Sequence, residues 1–231
     1  GNSPPLIKAP TREQEKRLAE LERRRDDVSR AFDSLHPEIK RRFAQWKTGV
    51  DAASLPEWSP DRSLLAQIRF DEKNTRFRDG DPAFAKGIVG QAAELAGSRF
   101  VDAGDIGAFG FEDRFSFSLW LQPRTLNGAI LSRMPEEEQA DGYSLRLVNG
   151  KVQVHLTKRW LDDALRVESE RPLELNSWQH LTVVYDGSRS ARGVEIYING
   201  SRSSTRILLD ELNQSFKNNE PLRIGKGGGK S

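Results

Sequence analysis

Seven residues constrain most of what this chain can become: Phe115-Ser-Phe-Ser-Leu-Trp-Leu121 carries an apolar side chain at every odd position. A period of two sends alternate side chains to opposite faces, so the stretch reads as a half-buried β-strand. The same period recurs from Ser63 onward, punctuated by turn signals. Strands are expected at Leu64–Asp71, Glu94–Val101, Phe115–Gln122, Ala129–Arg133, Tyr143–Val148, Lys151–Thr157, Trp178–Tyr185, Gly193–Asn199 and Leu222–Ile224. Val148-Asn-Gly-Lys151 supplies a hairpin turn whose two central residues tolerate positive φ, and Asp186-Gly187 and Asn199-Gly200 mark further turns. No helical segment alternates with these strands, which argues against a parallel sheet and leaves an antiparallel sandwich or barrel.

Ahead of them the period is helical. Between Thr11 and Trp46, apolar residues fall at Leu18, Leu21, Val28, Phe32, Leu35 and Ile39, a spacing of three and four with Arg25 at one seam position. Thr11, with Glu13 and Glu15 behind it, makes a hydroxyl cap and an acidic first turn. Pro37 is expected to end or kink this helix at His36, with a second short helix following to Trp46, so residues 1–50 should form a helical hairpin or a bent helix. The charged face reads as solvated, and the apolar seam as a coiled-coil or docking stripe is the alternative. Residues 51–62 read as a linker, and 63–231 as the β-domain.

Charge and composition remove several functions. The 36 basic and 34 acidic residues leave a net charge of +2, spread as +3 over residues 11–47, +1 at Lys8 and −2 over 48–231. Arg23-Arg24-Arg25 is flanked by Glu20, Glu22, Asp26 and Asp27, so no nucleic-acid partner is expected. No apolar run approaches the ~18 residues of a membrane span, so no membrane insertion is expected either. With no cysteine and three histidines, thiol chemistry is excluded and a His-rich metal centre has little to draw on. The Gly-Asn-Ser start and the Gly225–Ser231 tail suggest a piece of a longer protein.

Six segments in order resemble laminin G-like domains of the concanavalin A-like lectin/glucanase superfamily. They are Leu64–Asp71, Gly97–Gly104, Phe115–Pro123, Gly142-Tyr-Ser-Leu145, Trp178-Gln-His-Leu-Thr-Val-Val-Tyr-Asp-Gly187 and Val194-Glu-Ile-Tyr-Ile-Asn-Gly200, with Pro221–Gly225 closing the series. The resemblance implies a mainly β fold, an antiparallel jelly-roll β-sandwich, here preceded by helix. It also implies a periplasmic or extracellular location. With the charged helix in front, the chain resembles modules of large exported bacterial proteins that also carry cytochrome c-like domains, so other domains of such a parent are expected partners. Family members end on a further strand that pairs with the first, and this sequence stops before it. Leu64–Asp71 is therefore expected to have an incomplete neighbour or to borrow a strand.

The carboxylate pattern of the superfamily's glycosidases, two acidic side chains on one strand face, does not occur, so no enzyme activity is expected. His180 reads as a packed strand histidine, and Gly225–Ser231 lacks the spacing of a phosphate loop. Calcium is a candidate cofactor, because the family often holds one; Asp71, Asp102 and Asp186 lead the candidates, with Asp79, Asp81 and Asp105 behind them. Opposite the apolar strand positions stand Trp120 and Gln122, Ser144 and Arg146, Gln153 and His155, and Glu195 and Tyr197. On one sheet they would form an aromatic and polar surface suited to sugar rings and hydroxyls, with Trp160 as a further contact. If they pack under a loop instead, the surface is structural. The expectation is a non-catalytic binding module for a carbohydrate or protein ligand, with Trp120, Arg146, His155, Trp160, Glu195 and Tyr197 as its site; a structural spacer is the alternative.

Overall fold

The computed structural model describes residues 11–49, 62–70, 75–135 and 140–227. Two units emerge, Gly1–Arg62 and Ser63–Ser231. The first contains one helix, α1 (Arg12–Gly49), of 38 residues. Thr11 caps it reciprocally: its Oγ1 accepts from the Gln14 amide at 3.2 Å, and its own amide donates to Gln14 Oε1 at 2.8 Å. The expected break at Pro37 does not occur, since the helix runs through it without interruption. Proline deletes one backbone donor there, but the Glu38–Arg42 ion pair at 2.7 Å spans the turn that follows it. Among the described residues of this unit there is neither a hairpin nor a second helix.

The second unit is a sandwich of antiparallel sheets. Its strands are β1 (Phe77–Arg78), β2 (Phe84–Lys86), β3 (Gln91–Ala93), β4 (Phe100–Gly104), β5 (Phe115–Leu121), β6 (Gly128–Arg133) and β7 (Gly142–Val148), then β8 (Lys151–Arg159), β9 (Asp163–Ser169), β10 (Gln179–Tyr185), β11 (Val194–Ile198), β12 (Ser201–Arg202), β13 (Thr205–Asp210) and β14 (Leu222–Ile224). Eight strands form one sheet in the order β1-β4-β14-β6-β7-β8-β9-β13, and four form the other, β12-β11-β10-β5; β2 and β3 make a separate ribbon. Both sheets contribute to one core, Leu145, Val154 and Val167 from the larger and Leu181, Val183 and Ile196 from the smaller. Asn149-Gly150 turns β7 into β8 with φ of 53° and 78°, which keeps Val148 opposite Lys151.

The strands depart from expectation in several places, the short β1, β2, β3 and β12 among them. Residues 64–70 join no sheet, and Asp71 lies outside the described residues. A strand must pair its backbone groups, and no described strand pairs with this one; Leu64 and Leu65 are exposed. The question of a borrowed strand for Leu64–Asp71 therefore does not arise in that form. Instead β5 is left at the margin of its sheet, with its inward Phe117 and Leu119 half-buried, while Leu181 and Val183 of β10 are 0% and 1% exposed. The strand expected at Glu94–Val101 sits later, at β4. β9 and β13 were not expected, because their charged residues mask a short apolar alternation, Leu165 and Val167 in β9.

Candidate functional site

The core takes Tyr143, Leu145 and Leu147 from β7, Val152, Val154 and Leu156 from β8, and Leu165 and Val167 from β9. The pleat therefore turns Ser144, Arg146, Gln153, His155, Arg166 and Glu168 to the outer face of the larger sheet. Strand register arranges them in two neighbouring rows. Ser144 stands opposite His155, and His155 opposite Arg166. One step along, Arg146 faces Gln153, Gln153 faces Glu168, and Glu168 faces Arg206 of β13. Trp160, in the turn after β8, sits edge-on to the His155 ring at 5.2 Å, with the Arg166 guanidinium over its face at 4.2 Å.

Hydrogen bonds along these rows define the protonation states. Gln153 Nε2 donates to Glu168 Oε2 at 2.7 Å, which leaves Gln153 Oε1 to accept from His155 Nε2 at 3.0 Å. The His155 proton is thus on Nε2, and Nδ1 is an acceptor. Burial, with the charges of Arg146 and Arg166 adding to it, pushes His155 down to about 3, so the ring is neutral at ordinary pH. Burial pushes the Glu168 carboxyl up, but hydrogen bonds from Gln153 and Arg206, and the charges of Arg206 and Lys151, outweigh it and hold the group below the usual carboxylate range. Arg206 reaches Glu168 at 2.8 Å and Lys151 at 3.4 Å.

Arg146 and Arg166 differ from their neighbours. Each has its Nε buried without a hydrogen-bond partner, and neither forms an ion pair among the described residues. A buried guanidinium donor left unpaired costs free energy until something accepts from it. The face thus presents two guanidinium groups outside any ion pair, one of them stacked on the Trp160 indole, around a neutral imidazole. Such an arrangement can take an oxyanion through the arginines and stack a ring on Trp160.

The expected site splits in two. Arg146, His155 and Trp160 belong to the larger sheet, whereas Trp120, Glu195 and Tyr197 lie on the outer face of the smaller one, across the core. There Trp120 is 50% exposed and lies 5.0 Å from the His180 ring, whose Nε2 meets Ser118 Oγ at 2.9 Å. Tyr197 donates to Glu195 at 2.6 Å and Arg202 pairs with Glu195 at 2.7 Å, which commits that carboxylate. The period of two cannot say which sheet a strand joins, so the six residues looked like one surface. Arg166 and Glu168 were missed with β9, although the run Leu165-Arg-Val-Glu168 carried the alternation that would have revealed them.

The acidic residues considered for calcium do not assemble a cage. Asp102 accepts from the Gly104 amide at 2.9 Å and faces Arg78, Asp186 accepts from the Ser188 amide at 2.9 Å, and Asp71 lies outside the described residues. Asp105 pairs with the buried Arg133 at 2.7 Å and Asp79 with Lys226 at 3.3 Å. No group of three or more metal-ligating side chains occurs among the described residues. No described helix is long and apolar enough to cross a membrane.

Comparison with known proteins gives the family. No curated protein matches the chain. Among solved structures, domains LG4-5 of the mouse laminin alpha1 chain are similar over 49% of this chain and 28% of theirs, at 15% identity and a TM-score of 0.38. A carbohydrate-binding module, CBM66 of Bacillus subtilis, is similar over 66% of this chain and 89% of its own, at 16% identity and a TM-score of 0.35. The botulinum neurotoxin serotype G binding domain is similar over 64% and 41%, at 17% identity and a TM-score of 0.41. The chain thus spans less than half the length of the laminin and neurotoxin chains, and likeness at this level says nothing of a ligand. Residues 95–231, more than half the chain, match a family described by its shared fold rather than by one activity. The chain belongs to the concanavalin A-like lectin/glucanases superfamily.

Proposed function

We propose that the β-sandwich is a non-catalytic module that binds an anionic carbohydrate on the outer face of its larger sheet. The reading rests on one observation: Arg146 and Arg166, both half-buried around His155 and Arg166 over Trp160, form no ion pair among the described residues. A carboxylate or sulfate on a sugar supplies the acceptors these groups lack, the Trp160 indole supplies a stacking surface, and neutral His155 offers Nδ1 to a hydroxyl. Glu168 is held by Gln153, Arg206 and Lys151, and Glu195 belongs to the other sheet, so the reading assigns no acid–nucleophile pair. A setting outside the cytoplasm, within a larger exported protein, is part of the same proposal.

Calorimetry with acidic and neutral polysaccharides of matched backbone tests the reading. An acidic polysaccharide should bind, weaken as salt rises, and keep its affinity in EDTA. Arg166→Ala should weaken it about 10- to 100-fold, the value of a lost charge-assisted hydrogen bond, while Trp120→Ala on the opposite face should leave it unchanged. Equal affinity for the neutral polymer, or loss of binding on Trp120→Ala alone, refutes the assignment.

A further inference from the structure

The helix α1 carries an exposed apolar stripe along its length. Along this helix Leu18, Arg25, Phe32, Ile39 and Trp46 recur at one seam position, and Leu21, Val28, Leu35 and Arg42 at the other, in unbroken steps of three and four. Seven of these nine are apolar, and all seven are between 44% and 65% exposed. This is the heptad of a two-stranded coiled coil, sustained through Pro37 because the helix does not break there. Within the helix itself nothing covers the seam.

We propose that α1 pairs with α1 of a second copy of this chain in an antiparallel coiled coil that places Leu18 level with the partner's Arg42 and Arg25 level with the partner's Leu35. Three features select that arrangement over a parallel one. In parallel register the two seam arginines would each face their own copy, Arg25 against the partner's Arg25 and Arg42 against the partner's Arg42. Turning one helix around sets each against leucine, so their stems cover apolar surface and their heads reach the flanks. The flanking positions then match: Arg24 lies beside the partner's Glu38, and Glu22 beside the partner's His36.

Charge along the helix points the same way. Residues 12–22 hold four acidic and three basic side chains, whereas residues 38–49 hold one acidic and four basic. Antiparallel pairing sets the acidic end against the basic end twice, and parallel pairing stacks basic on basic. The area is sufficient. A helix of 38 residues is about 57 Å long, and a contact strip about 10 Å wide along it removes roughly 1,200 Å² from the two copies together, within reach of a specific interface.

The chain as it stands provides the test. Sedimentation equilibrium of the full 231-residue chain at about 100 μM should show a dimer, and a monomer under those conditions overturns the proposal, whatever else covers the seam. Phe32→Glu with Leu35→Glu should weaken the dimer at least about 100-fold without touching the sandwich, because both side chains are exposed; a dimer of unchanged affinity shows that the interface lies elsewhere and overturns it. Orientation follows from cross-linking, which is free of background because the chain has no cysteine. Ser29→Cys, near the midpoint, should link to its counterpart through a short bis-maleimide. Leu18→Cys should not, since antiparallel pairing separates the two copies of that residue by about 36 Å. Efficient linking through Leu18→Cys means parallel helices and overturns the arrangement.

Discussion

Acid should loosen the sandwich before it protonates most carboxylates, and His155 is the reason. Its ring is 4% exposed and held down to about 3, against 6.5 in an unfolded chain. The unfolded state therefore takes up a proton that the native state refuses, and stability falls as pH drops below 6.5, by about 1.4 kcal/mol per pH unit for one such group. Between pH 7 and pH 5 the loss comes to about 2 kcal/mol, and it changes little if the native value lies a unit higher. Glu168 does not blur this window. Its carboxyl lies below the usual range, so its contribution is present above the unfolded carboxylate value and is lost only as pH falls through the lower native one. Urea unfolding of the wild type and of His155→Gln at both pH values measures the effect. The wild type should lose about 2 kcal/mol more than the variant between pH 7 and 5, whatever the variant's stability at pH 7. Equal losses within about 0.5 kcal/mol, or an NMR titration of His155 with a midpoint near 6.5, refute the buried neutral histidine.

Three further substitutions probe the frame of the sandwich. Leu181→Ala, at a side chain of 0% exposure in the core, should cost about 2–5 kcal/mol in urea unfolding, and Leu119→Ala, half-buried on the neighbouring strand, distinctly less; equal costs would mean the margin of the smaller sheet is covered. Gly142, at φ +135°, opens β7, and a Cβ there collides with the Arg133 carbonyl oxygen; Gly142→Ala should destabilise by about 2 kcal/mol or more, a loss that thermal unfolding will show.

Where a side chain's partner lies nearby in sequence, the sequence was a good guide. The Phe115–Leu121 alternation, the Asn149-Gly150 hairpin and the Thr11 cap all appear where local chemistry places them. Long-range pairing was not readable in the same way. Trp120 and His155 both occupy outward positions, and only the sheet order, set by contacts far apart in sequence, puts them on opposite sides of the core. Pro37 misled because its local penalty is real, about 3 kcal/mol in a helix interior, yet many favourable turns can absorb it. Arg166 and Glu168 were hidden by charge: a strand whose outward residues face a polar surface looks like a loop when only two inward side chains are apolar.

The marginal position of β5 determines how the sandwich comes apart. Strands such as β8 exchange hydrogen bonds on both sides, whereas β5 does so only with β10. Alternate amides of β5 consequently point away from the sheet and should exchange with solvent at rates far above those of Val152 or Val154. Peeling β5 breaks a single ladder and uncovers Phe117 and Leu119, already half in water, so it costs less than opening either interior strand of the smaller sheet. The rows of Arg146, His155 and Arg166 sit in the most doubly paired part of the other sheet, behind the core. Within the smaller sheet the interior strands β10 and β11 should therefore outlast β5 as the temperature rises.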